Sequence, residues 1–576
     1  MIERRCLPLA VLLVACSPAP DLDAPQAQAT DAAQELFALG AEGLRFHHDN
    51  GASGEYYFPE IMGAGVALLD ADGDGDLDLF AVQGQRLDAG AEPAFALPAD
   101  HRPGHRLFRN ELAPRGTLAF TDVSERAGLA AQSYGMGVAT GDYDNDGDVD
   151  LYVLNLGANT LFRNEGDGRF TDVTTQAGVA GDRWSVSASF FDYDRDGDLD
   201  LFVANYVRYS VATNLPCKGK AGQRDYCDPT VYAPARDRLY RNDGDGTFTD
   251  VTGAAGLDAV FGNGLGVSAA DFNLDGWPDL YVANDKMANQ LWINGGDGTF
   301  VDRALEFGAA YNASGAAEAS MGIAAGDFDN DGDDDVFVTH LGAQTNTLYE
   351  NDGKAAFFDI TDLTRLAIPS LGFTGFGTEW FDVDNDARLD LFSANGGVQV
   401  ETSQLGVEPY PYFQTDQLFR NAGDGKFEEV NAGKATSDAV ISRGAAFGDI
   451  DNDGDVDIAV SSNNGPLRLL VNQVGTQRHW ISLRLRGSAD NAQALGARVA
   501  VWRESSDRPQ WRRVHTDGSY ASASDPRVHV GLGDDSGPVR VAVTWPNGAV
   551  EVWAGLAADQ RHVLVQGAGA PVEPGR

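Results

Sequence analysis

The chain is 576 residues long, with 86 acidic against 42 basic residues and a formal charge of −44. A charge of that sign excludes nucleic acid and anionic membrane surfaces as natural partners, while 43% hydrophobic residues exclude a wholly disordered acidic chain. The length allows a large buried core, so internal repeats must be sought before domains are counted.

At the N-terminus Arg4 and Arg5 precede an apolar run from Leu7 to Val14. The run is too short to span a bilayer and reads as an export signal over residues 1–15. It ends Leu13-Val-Ala-Cys16, which resembles the bacterial lipobox. That resemblance implies lipid attachment at Cys16, and Ser17 after it implies an outer-membrane or cell-surface lipoprotein. The alternative is an ordinary signal in which the Cys stands by chance. Residues 16–35, rich in Pro, Ala and Gln, are expected to form a flexible tether. No transmembrane helix is expected in the mature chain.

The most informative stretch is Asp142-Tyr-Asp-Asn-Asp-Gly-Asp-Val-Asp150. Alternate residues of an extended loop project to one side, so Asp142, Asp144 and Asp146 can converge on one point. Gly147 permits a sharp turn, the carbonyl of Asp148 adds an oxygen, and Asp150 closes the shell. Six to eight hard oxygens suit Ca²⁺. An EF-hand loop would carry Glu at position twelve; here that position is Val153, inside an apolar run that reads as a strand. The loop therefore belongs to a hairpin.

The pattern recurs six times. Asp70, Asp72, Asp74, Asp76 and Asp78 form the first loop, and Asp192, Asp194, Asp196, Asp198 and Asp200 the third. The fourth has Asp271, Asn273, Asp275, Trp277 and Asp279, with Trp277 offering only its carbonyl. Asp327, Asp329, Asp331, Asp333 and Asp335 form the fifth; Asp382, Asp384, Asp386 and Asp390 the sixth; Asp449, Asp451, Asp453, Asp455 and Asp457 the seventh. A mere turn signal needs one Asp-Gly pair, not four phased carboxylates. Up to seven Ca²⁺ are expected, each stabilising a chain that otherwise repels itself. The sixth loop has Ala387 in place of Gly, followed by Arg388, and is expected to be the weakest site.

Each repeat continues with a second half such as Leu161-Phe-Arg-Asn164, then Glu-Gly-Asp-Gly-Arg-Phe170. The Gly-Asp-Gly segment supplies turn residues, so one repeat yields four antiparallel strands, the unit of a β-propeller blade. These motifs resemble FG-GAP/VCBS repeats, the units of the integrin α-subunit propeller. The resemblance implies an all-β, seven-bladed β-propeller over residues 36–475. The last repeat lacks its Gly-Asp-Gly half, and Leu39-Gly-Ala-Glu-Gly-Leu-Arg-Phe46 is expected to close the ring. Cys217 and Cys227, nine residues between them in an insertion, read as a disulfide in an exported protein.

Residues 478–566 are nearly balanced in charge and alternate in the β manner. Gly496-Ala-Arg-Val499, Gly518-Ser-Tyr-Ala-Ser522, Asp525-Pro526 and Trp545-Pro-Asn-Gly548 together resemble the ASPIC/UnbV domain. Propeller plus this domain resembles the cartilage acidic protein family and its bacterial relatives. Residues 567–576 are expected to be a disordered tail. A Ser522, Asp525, His529 triad can be drawn, but no nucleophile elbow frames the serine.

Polar residues follow the apolar strands at Asn155, Asn205, Asn284, His340 and Asn395. Either they cap strand ends, or they form a ring of ligand groups on the face opposite the loops. Arg443 and Trp184 would join that face, and Glu379 stands where other repeats have small residues, a candidate for the central channel. The expected function is a calcium-binding envelope module for an extracellular glycan or protein. A polysaccharide lyase or hydrolase is the alternative, because related propellers host such sites; a scaffold in an outer-membrane assembly is a further one.

Overall fold

The computed structural model describes residues 35–88, 93–220, 222–400, 412–487 and 491–572. The expected signal and Cys16 lie outside the described residues. From Glu35 onward the chain forms one compact unit.

The second repeat shows how each blade is made. Gly135–Gly141 pairs with Asp150–Gly157, which pairs with Thr160–Asn164, which pairs with Phe170–Asp172, all antiparallel. The acidic loop is the hairpin between the first two strands. Leu151, Tyr152, Val153 and Leu154 are all buried, as expected for a strand covered on both faces by neighbouring sheets. Seven such four-stranded units are present among the described residues; the second and third are fused because Arg183–Trp184 also pairs with Leu156–Gly157. Their innermost strands follow one another in a ring, and the first, Val66–Leu69, packs on the last, Ser442–Gly448.

The last unit borrows its outer strand from the N-terminal end of the ring. That strand is Phe37–Leu39, paired with Leu470–Asn472, not the expected 39–46 segment. The Gly40 amide still donates to Leu469 O at 2.8 Å, and the chain turns there at φ +78°. Cys217 and Cys227 are disulfide-bonded.

The C-terminal region consists of two sheets. One orders Val528–Gly533, His479–Arg486 and Gln560–Val565; the other has five strands and ends on Ala570–Pro571. That last strand pairs with Glu551 and Val552, so the expected tail is structured at its start. Val499, Val541 and Ile481 belong to the same apolar cluster as Tyr152 and Leu201 of the second and third blades. The region is therefore packed onto the propeller rather than hung from it.

Its segment 516–525 enters the centre of the ring and touches every blade. The Ala523 and Leu68 backbones are hydrogen-bonded, as are Val138 and Ala521, Val267 and Gly518, and Ile323 and Ser519. Asp517 accepts from the Ser189 hydroxyl at 2.5 Å and the Ala269 amide at 2.8 Å. The Tyr520 ring meets Phe376 edge-on at 4.8 Å, and the Ser519 hydroxyl donates to Ala445 O. Ser519 and Ala521 sit at φ +51° and +55°, a costly conformation for non-glycine residues that persists only where surroundings over-determine it.

Candidate metal centres

The seven acidic loops lie on the face that the C-terminal region covers. In the second loop the ligand atoms of Asp142, Asp144 and Asp146 lie within 4.8 Å of one another. The same holds for Asp70, Asp72 and Asp74; for Asp192, Asp194 and Asp200; for Asp327, Asp329 and Asp335; and for Asp382, Asp384 and Asp390. Position six has positive φ in every loop, from +92° at Gly75 to +104° at Gly332, and +75° at Ala387. The turn lets position one accept two backbone donors: Asp146 N reaches Asp142 Oδ1 at 3.1 Å and Gly147 N reaches Oδ2 at 2.9 Å.

Position nine does a second job. Asp150 accepts from Tyr143 N at 3.0 Å and from Asn164 N at 2.8 Å, bracing the loop against the third strand. The bracket repeats around the ring, for example at Asp78 with Ala71 and Asn110, and at Asp457 with Ile450 and Asn472.

Burial opposes ionisation here. Desolvation, with adjacent carboxylates, raises Asp142 to about 7 against the opposing pull of the Gly147 and Asp146 backbone donors; Asp192 and Asp382 are likewise pushed up to about 7, and Asp327 to about 8. Converging, half-dry carboxylates of this kind are what a hard divalent cation relieves. The donor set, all oxygen in small loops, fits Ca²⁺.

A group absent from the expected set is the asparagine at the end of the third strand in six of the seven blades; in the sixth, Asn421 Nδ2 donates only to Leu389 O of its own loop. Asn164 Nδ2 donates to Val149 O of its own loop at 3.1 Å and to Ala71 O of the preceding blade's loop at 3.0 Å. Asn110, Asn242, Asn294, Asn351 and Asn472 do the same with Ile450, Tyr143, Tyr193, Phe272 and Val383. The signal was the final Asn of each Leu-Phe-Arg-Asn motif, whose partner two strands away cannot be read locally. These amides link loop to loop, so a change in one loop is felt by its neighbour.

The repeats match the FG-GAP-like repeat family over residues 142–203, 230–282, 271–338, 327–393 and 410–460, and the C-terminal region matches the ASPIC and UnbV family over 487–571. Cartilage acidic protein 1 of Xenopus tropicalis is 27% identical over 85% of this chain and 71% of its own length. This chain is an FG-GAP repeat protein with an ASPIC/UnbV region, homologous to the cartilage acidic protein 1 family. The human protein of that name is 29% identical over 52% of this chain, and the match spans 43% of the human protein's length. Among solved structures, that of an Agrocybe aegerita lectin recognising non-reducing terminal N-acetylglucosamine aligns with 66% of this chain and 81% of its own, at 16% identity and a TM-score of 0.37. That superposition is too loose to carry a ligand from one protein to the other.

In this FG-GAP ring the sixth loop departs from its siblings. Asp386 is ion-paired with Arg388, and Asp384 with Arg420; Arg478 adds a contact to Asp384 at 2.7 Å. Three guanidinium groups thus already stand on the carboxylates at positions three and five.

Among the described residues, an apolar cluster covers the face opposite the loops. Phe58, Trp184, Tyr206, Tyr226, Tyr232 and Tyr412 form one apolar cluster with Tyr520 beneath it. Asn155, Asn205, Asn284 and Asn395 are buried and donate to Ala158, Arg236, Ala288 and Thr415 carbonyls at 2.8–3.0 Å. His340 is held between Ser320 Oγ and Thr345 O. Arg443 donates to Ile61, Gly396 and Gly397 carbonyls and stacks on Phe376 at 4.1 Å. Trp184 packs edge-on against Phe58 and Tyr206. Among the described residues these candidates cap strand ends and are themselves buried. Glu379 does reach the channel, where burial raises it to about 7 beside Arg513 and His515, just ahead of the inserted segment. The drawn triad is dispersed: Ser522 Oγ accepts from Val66 N, Asp525 pairs with Arg527 and His529 bonds Asn385.

Proposed function

We propose that this protein is a calcium-stiffened binding module of the cell envelope, anchored through Cys16, that presents a rigid surface to an extracellular glycan or protein. The observation that carries the reading is the ring of phased carboxylate loops, brace-bonded to their own blades and cross-linked by asparagine amides. Metal in such loops would lock seven hairpins at once, and a preorganised surface loses little entropy on binding. Lipid attachment would place that surface outside the inner membrane, where millimolar Ca²⁺ suffices for weak sites.

The test is the mature chain on a glycan array and in pull-downs from cell envelopes, each with Ca²⁺ and with EDTA. Calcium-dependent capture of a specific glycan or protein supports the reading. Equal capture in EDTA, with an unchanged melting temperature, contradicts it.

A further inference from the structure

A cavity of about 500 Å³ lies between the first two acidic loops and the C-terminal region. Its volume falls in the range of small-molecule sites, roughly 300–1,000 Å³. In a chain of charge −44, four of its lining residues are arginines: Arg484, Arg486, Arg527 and Arg561. Arg527 is tied to Asp525 through Nε at 2.6 Å. Arg484 leans on Asp70 at 3.6 Å, Arg561 reaches Asp449 at 3.0 Å, and Arg486 is exposed. Asp70 and Asp449 are position one of the first and seventh loops. Two of the four guanidinium groups, those of Arg484 and Arg561, are therefore balanced by the same carboxylates that would hold metal.

We infer that this cavity is a calcium-dependent site for a small organic anion, a carboxylate or sulfate ester on a sugar-sized body. With Ca²⁺ in the loops, the charge of Asp70 and Asp449 is taken up by the ion. Arg484 and Arg561 then join Arg486 as three uncompensated donors in a partly dehydrated space, and planar guanidinium groups match carboxylate and sulfate oxygens bidentately. Leu68, Leu77, Leu485 and Val563 give the cavity an apolar wall, suited to the less polar face of a sugar ring. Without the metal each arginine returns to its aspartate and the site closes electrostatically. The inference deepens the proposed function and rests on its calcium reading.

The test is isothermal titration of the full mature chain with glucose 6-sulfate, glucuronate and glucose, in saturating Ca²⁺ and in EDTA. Saturable binding of an anionic probe in Ca²⁺ is expected, with no binding of glucose and at least tenfold weaker binding in EDTA. Whether the sulfate or the carboxylate probe binds tells which anion the site takes. Arg486→Gln and Arg484→Gln, checked by their unchanged melting temperature in Ca²⁺, should each weaken binding at least tenfold. No binding of either anion while Ca²⁺ still raises the melting temperature overturns the anion site and leaves the calcium reading standing. Binding that ignores both substitutions also overturns it.

Discussion

The second and sixth loops occupy equivalent places in the ring, yet each balances its carboxylates differently. Burial raises the position-one carboxyl to about 7 in both, at Asp142 and at Asp382, and the second turns through Gly147 at φ +97°. The sixth turns through Ala387 at +75° and draws Arg388, Arg420 and Arg478 onto Asp384 and Asp386. On the proposed reading the second hairpin takes an external cation to relieve its charge, while positions three and five of the sixth already meet guanidinium groups from elsewhere in the same chain. The comparison teaches that the acidic loop is first a hairpin closure, braced by its position-nine Asp, and second, on the proposed reading, a metal site.

The largest way to break this comparison is Asp142→Ala. It strips two backbone donors, Asp146 N and Gly147 N, of their acceptor and removes a metal ligand. We expect a loss of about 3 kcal/mol or more in Ca²⁺ by denaturant melting, and of clearly less in EDTA. Next, Arg420→Gln combined with Arg478→Gln should convert the sixth loop to the behaviour of the second. One additional Ca²⁺ per chain is expected by equilibrium dialysis; an unchanged count would mean that the arginines do not exclude metal.

The sixth blade also departs at its inner strand. Glu379 has its carboxyl raised to about 7 from an ordinary 4.5 by burial. A carboxyl raised in the folded state adds stability below about pH 4.5, and that stability is lost as the pH rises through 7. Glu379→Gln should therefore raise the melting temperature at pH 8 and change it little at pH 5. The smallest effect is Ala387→Gly, which removes a side chain from a left-handed turn and should stabilise the apo protein by about 1 kcal/mol. The reverse change, Gly147→Ala, should cost a similar amount.

Much of this was legible because the repeat writes the same physics seven times. The loop spacing, the apolar run after position nine and the Gly-Asp-Gly turn each follow from local chemistry. Even the oddity of Ala387 could be read, since only its neighbours' glycines reveal that position six is left-handed. Long-range partnerships were not legible. Asn155 and Arg443 look like surface groups because polar residues after a strand usually reach solvent, yet Asn155 is buried against Ser133 and Ala158, and Arg443 against Ile61, Gly396 and Gly397. Nor does Gly518-Ser-Tyr-Ala-Ser522 announce that it fills a channel: its fit depends on seven strands that come together only when the ring closes. Nothing local in the nearly charge-balanced C-terminal region shows that Arg484 and Arg561 will stand over Asp70 and Asp449 of the loops.

The measurement that bears most directly on the account is the number of Ca²⁺ bound per folded chain, taken together with the melting curve in Ca²⁺ and in excess EDTA. The account predicts several bound ions with the sixth loop last to fill, and a melting temperature lowered by more than about 10 °C on chelation, equivalent to several kcal/mol. A chain that binds no Ca²⁺ and melts identically in EDTA would contradict it.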